Sequence, residues 1–102
     1  MSEPNGLARK LKALGHPLRL RIVALLATEG GEMYLNEIAG RLEINRALAK
    51  IHLKKLEAAN IVRSRVVLVE GEAKALRYYK LKNFDIHVSP DLLKKEVRDD
   101  GD

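Results

Sequence analysis

The order of sequence patterns predicts a mainly α-helical protein with a β-hairpin near its C-terminal end. Before residue 60, apolar residues recur at helical spacing in several short stretches. After it, a run rich in β-branched residues, a Glu-Gly-Glu turn and a second apolar run follow one another, and capping or breaking residues separate the pieces. The predicted order is four helices, two strands and a short final helix.

Leu7, Leu11 and Leu14 stand at i, i+4 and i+7 with Arg9, Lys10 and Lys12 between them, which makes one apolar stripe on a helix over 6–14. Gly15-His16-Pro17 breaks it, and Pro17 suits the first position of a second helix because its missing N–H would have no helical partner there. Leu18, Ile22, Leu25 and Leu26 supply that helix with an apolar face, and Gly30-Gly31 ends it. A third helix is expected to start near Asn36, an amide able to cap free backbone N–H groups, and to carry Ile38, Ala39 and Leu42. At about two turns it depends on tertiary packing. Asn45 caps a fourth helix reaching about residue 59, with Ala49, Leu53 and Leu56 on one side and Arg46, Lys50, Lys54 and Lys55 elsewhere. Residues 61–69 and 75–81 then read as strands joined at Glu70-Gly71-Glu72. Residues 83–88 extend the sheet or form a linker. Ser89-Pro90-Asp91 has the pattern of a helix start, and Leu92, Leu93 and Val97 follow.

A length of 102 residues fits one domain over 1–102, with residues 1–5 and 99–102 expected to fray. No stretch approaches the roughly 20 apolar residues of a membrane span, and the polar first twelve residues, interrupted by Pro4 and Gly6, are unlike a signal peptide. The expectation is a soluble cytoplasmic protein. Cysteine is absent, which excludes disulfides, thiolate metal sites and a cysteine nucleophile. Gln and Trp are absent too and Thr28 is the single threonine, while Lys, Arg and Glu abound, a bias of proteins from hyperthermophiles.

The net charge of +5 is unevenly spread. Residues 46–82 hold ten basic side chains against three acidic ones, and the rest of the chain nine against eleven, so the excess positive charge lies in one contiguous third. That third is the fourth helix and the hairpin. Two adjacent short helices, the second of them basic, followed at once by a basic hairpin, describe a winged helix-turn-helix, in which a helix about 10–12 Å across enters the DNA major groove. Glu43 stands in the turn where many such turns have glycine, so the turn either avoids a positive φ or accepts strain.

The stretch Ala13-Leu14-Gly15-His16-Pro17-Leu18-Arg19-Leu20-Arg21-Ile22 resembles the helix junction of ArsR-type winged-helix transcriptional regulators. Ala39, Leu42, Ile44, His52-Leu53, Leu56, Ala59 and Ile61-Val62 resemble their helix-turn-helix, and Tyr78-Tyr79-Lys80-Leu81 the return strand of their wing. The likeness spans about residues 7–82 and implies a homodimeric, operator-binding repressor that dimerises through its terminal helices. Tyr34 and Asn36 stand where metal-sensing members carry two thiolates, and neither is a soft-metal ligand. Asp85-Ile86-His87 matches half of a second metal motif of the family without the remaining ligands. Ordinary polar residues at a sheet edge are the simpler reading, and no cofactor or metal is assigned.

The DNA-binding set expected from these patterns is Arg46, Ala47, Lys50, His52, Lys54 and Lys55 on the helix and Arg63, Arg65 and Lys74 on the wing. Arg46 suits a guanine edge and Ala47 a thymine methyl, whereas Lys54 and Lys55 suit phosphates. His52 fits a phosphate contact or a structural role equally, and Leu48 and Ile51 fit packing on the preceding helix or DNA, with packing favoured. Tyr78 and Tyr79 read as sheet packing, and only four aromatic residues argue against RNA recognition by stacking. Leu7, Leu11, Leu14, Leu92, Leu93 and Val97 are the expected dimer interface. The expected partners are double-stranded DNA and a second copy of the chain. Two other readings share the fold: a winged helix used for protein contact, and a sequence-tolerant DNA-coating protein. An enzyme is disfavoured by three serines, three scattered histidines and the lack of a glycine-rich phosphate loop.

Overall fold

Pro17 and Asn45 start the two longest helices of the computed structural model, which describes residues 4–96, with side chains from 6 to 95. The elements are α1 (Pro4–Leu14), α2 (Pro17–Glu29), β1 (Met33–Tyr34), α3 (Leu35–Leu42), α4 (Arg46–Ala58), β2 (Val62–Leu68), β3 (Ala75–Leu81) and α5 (Pro90–Glu96). His16 caps α2, its Nδ1 accepting the Leu18 N–H at 3.1 Å, and Gly30 closes that helix at φ 75°. Asn45 Oδ1 accepts the Leu48 N–H at 2.7 Å. Ser89 Oγ accepts the Leu92 N–H at 3.1 Å at the start of α5.

The sequence expectation missed β1, which converts the hairpin into a three-stranded antiparallel sheet of order β1-β3-β2. Two residues are too short to leave a period-2 pattern, and only pairing of Met33 with Tyr79 and of Tyr34 with Tyr78 makes them a strand. The same pairing moves the start of α3. Tyr34, not Asn36, is its N-cap, and the Glu37 carboxylate reaches back to accept the Tyr34 N–H at 3.3 Å. Residues 82–89 carry no strand.

The buried cluster draws Ile22 and Leu26 from α2, Leu35, Ile38, Ala39 and Leu42 from α3, Ala49, Leu53 and Leu56 from α4, and Met33, Val62 and Tyr79 from the sheet. α4 is thereby gripped on one side only. The distal hairpin lies outside this cluster: Val66 is exposed and Leu68 is 79% exposed, and the molecule measures 61 × 24 × 23 Å.

A polar clasp holds the middle of α4. Arg19 Nε donates to the Ala13 carbonyl at 2.6 Å, and Arg19 Nη1 lies 3.3 Å from His52 Nδ1. A guanidinium only donates, so Nδ1 must be the acceptor and the ring neutral. The His16 ring lies 4.5 Å from that of His52, centre to centre. His52 is 7% exposed, so burial and the neighbouring His16, Arg19 and Lys55 hold its pKa below the ordinary 6.5.

Two consequences are measurable. Glu43 occupies the left-handed region at φ 55°, so the tight turn between α3 and α4 accepts strain rather than avoiding it. Glu43→Gly should raise the unfolding free energy by about 0.5–1 kcal/mol, because relief of strain outweighs the extra freedom glycine gives the unfolded chain, and the urea midpoint should rise at unchanged slope. For His52, the unfolded chain binds the proton first. Stability is therefore full above the ordinary imidazole range and falls as pH drops through it toward the lowered folded pKa. Urea titrations from about pH 8 to about pH 5.5 should show that loss, and His52→Gln should flatten it.

Candidate nucleic-acid interface

Burial of Ala49, Leu53 and Leu56 decides which side of α4 faces outward. At about 100° per residue, Lys50 lies about 40° and Lys54 about 80° around the axis from Arg46, forming one exposed basic stripe. Ala47 lies beside that stripe and is exposed. Lys55 does not join it. It sits about 180° from Arg46 and about 14 Å farther along the helix. His52, which by sequence fits a phosphate contact or a structural role equally, is buried, with Nδ1 turned to Arg19. Leu48 and Ile51, for which the sequence favours packing on the preceding helix only slightly over facing DNA, are exposed at the edge of the outward face opposite Arg46, Ile51 to 52%.

The strand register, unreadable from sequence, sorts the basic residues of the wing. Arg63 pairs with Lys80 and Arg65 with Tyr78, so these four share one face. Arg65 is committed there: Nε and Nη2 reach the Glu32 carboxylate at 2.7 and 2.8 Å, and its guanidinium lies 5.5 Å from the Tyr78 ring centre. Hydrogen bonding to Arg65 holds the Glu32 carboxyl below its usual range. Arg63 and Lys80 line the same shallow cleft as this pair. Lys74 lies just after the turn, 3.9 Å from Glu72, with both side chains more than half exposed.

Arg77 is a wing residue whose face could not be assigned from sequence and which the expected DNA-binding set omits. It lies on the other face of the hairpin, where its Nη1 donates to Ser64 Oγ at 3.0 Å and Ser64 Oγ donates to Glu57 of α4 at 2.8 Å. Burial raises the Tyr79 phenol above its ordinary value, and the charges of Arg77, Glu57 and Arg46 all act on it, so the wing and α4 share one electrostatic neighbourhood. The alternation of the strand was legible, but which parity faces α4 required the register.

The expected dimer residues are dispersed. Leu14 packs against the core, Leu11 is 40% exposed, and Leu93 is half-buried. Leu7 and Leu92 line one cleft with Phe84 and Ile86, so the two terminal helices already approach each other within one chain. Val97 lies outside the described residues. Asp85 and His87 border that cleft, and among the described residues no three His, Cys, Asp or Glu side chains gather as metal ligands. No helix among them is long and apolar enough to cross a membrane.

The comparisons with known proteins agree with this geometry. A family described as a helix-turn-helix domain matches residues 14–65. An uncharacterized HTH-type transcriptional regulator of Methanocaldococcus jannaschii is 37% identical over 84 residues, 82% of this chain and 84% of its own. Among solved structures, reduced HlyU of Vibrio cholerae aligns with a TM-score of 0.61 at 26% identity, over 78% of this chain and 75% of its own. A fragment of a Mycobacterium bovis protein, described as a homodimeric winged helix-turn-helix DNA-binding domain and a possible ArsR-family transcriptional regulator, aligns at 0.62 and 32% identity, over 76% of this chain and 64% of its own. Fold, helix-turn-helix geometry and relatives converge: the chain belongs to the helix-turn-helix domain family and is a transcriptional regulator with an ArsR-like winged helix-turn-helix fold.

Proposed function

We propose that the protein is a sequence-specific repressor that binds double-stranded DNA as a homodimer, working in the cytoplasm as one domain over 1–102. The observation that carries this reading is the exposed stripe of Arg46, Lys50 and Lys54 on the outward face of a helix held from behind. In this reading Arg46 reads a guanine edge and Ala47 approaches a thymine methyl near the start of α4, where recognition helices meet bases. Lys50 and Lys54 hold phosphates along the groove. Arg63, Lys74 and Arg77 supply the wing contacts, and Arg65 orders the sheet through Glu32. The homodimeric state of the Mycobacterium bovis domain supports a homodimer, which in this reading assembles through α1 and α5, with Leu11 offering exposed apolar surface.

A two-fold dimer presents its recognition helices to major-groove faces roughly 34 Å apart, so the operator is an inverted repeat. With about eight phosphates neutralised per dimer, log K falls against log salt with a slope near −7. Selection of bound sites from a random duplex pool should return a palindromic consensus. In anisotropy titrations, Arg46→Ala with Lys50→Ala should remove about 1–3 kcal/mol of discrimination and flatten the salt slope. Undiminished binding by that variant, or affinity independent of salt, would sink the proposal.

Exposed Leu48 and Ile51 favour a second reading, a winged helix that contacts another protein through this apolar edge. It predicts weak, consensus-free DNA binding, and the same selection separates the two.

A further inference from the structure

Between α1, the start of α2 and the last turn of α4 lies a cleft of about 190 Å³ whose charged lining is entirely cationic: Arg9, Lys12, Arg19 and Lys55. No carboxylate lines it. The ion pairs among the described residues, Arg41 with Glu29, Arg65 with Glu32 and Lys74 with Glu72, engage none of the four. Like charges gathered around one concavity repel each other, and their mutual repulsion is what an entering anion relieves.

The floor suits the same guest. It is formed by Ala13, Ala58 and Ala59, the first and last of them buried. Two of the three floor carbonyls that would repel an anion are already occupied, because Ala13 O accepts Arg19 Nε at 2.6 Å and Ala59 O accepts Lys10 Nζ at 3.0 Å. Arg19 is held by two hydrogen bonds, to Ala13 and His52, which leaves the second Nη1 N–H and both Nη2 N–H groups as donors in an already ordered guanidinium. The volume is well below that of a drug-sized pocket, so the guest is small.

The cleft lies apart from the proposed duplex surface. Lys55 is on the side of α4 away from Arg46, and the other three cations come from α1 and α2. We propose that this cleft binds a small organic anion, a phosphate or carboxylate on a short apolar body, with the head held by the four cations and the body on the alanine floor. Arg19 joins the guest to His52 and so to the seat of α4, and this link bears on regulation only if α4 is the recognition helix. Binding itself is independent of that reading.

The test is an NMR titration of the full chain, without DNA, using phenyl phosphate, inorganic phosphate and sodium chloride at matched ionic strength. Phenyl phosphate should give saturable millimolar shifts centred on the Ala13, Ala58 and Ala59 amides and the His52 ring, with inorganic phosphate weaker and chloride without effect. Arg9→Gln with Lys12→Gln, which swaps exposed helix residues for good helix formers, should weaken phenyl phosphate about tenfold or more while preserving the spectrum of the fold. Its duplex affinity should change less than that of Arg46→Ala. Unsaturable shifts spread over Lys50 and Lys80 as well, or unchanged affinity in the double variant, would overturn the site. A loss of duplex affinity in that variant as large as that of Arg46→Ala would overturn it too, by making the cleft a contact for the DNA backbone.

Discussion

The burial of Ala49, Leu53 and Leu56 along one side of α4 is the constraint from which the rest of the molecule follows. A 13-residue helix has too little intrinsic stability to stand alone, so its position depends on the apolar residues of α2, α3 and the sheet that cover this side. Once that side is taken, the helix has only its outward arc left for function. That arc is where Arg46, Lys50 and Lys54 fall. The same constraint turns His52 inward, where a protonated ring would meet the Arg19 guanidinium at close range.

Polar contacts refine what packing establishes. The Arg19 clasp ties the end of α1, the start of α2 and the middle of α4 through one guanidinium, and it works only while His52 presents a lone pair. At the other side of the helix, Arg77, Ser64 and Glu57 link the wing to α4 through two short hydrogen bonds. These contacts contribute modest net energy, and their larger effect is geometric: they set the angle at which wing and helix are presented together. The Arg65–Glu32 pair is exposed and adds little stability, but it neutralises one cation of the wing.

Charge along the sequence therefore does not say which surface a basic residue joins. The local excess of ten basic over three acidic residues from 46 to 82 divides in three dimensions into separate groups. One stripe lies on α4, one group lies on the far face of the hairpin, and Lys55 belongs to a cleft with residues from α1 and α2. Adjacent lysines at 54 and 55 are about 100° apart on a helix, so neighbours in sequence serve different surfaces.

By itself the sequence determined the helices, the hairpin and the helix-turn-helix resemblance, because helical and strand periodicities, the Asn45 and Ser89 caps, Pro17 and Gly30 are local properties read within a few residues. Tertiary structure alone decided the two-residue strand at Met33–Tyr34, the cap at Tyr34, the face on which Arg77 lies, the burial of His52 and the exposure of Leu48 and Ile51. Each of these depends on a partner distant in the chain. Strand pairing, register and burial are set by which surfaces meet, and a shift of one residue in the pairing would have sent every side chain of the wing to its opposite face.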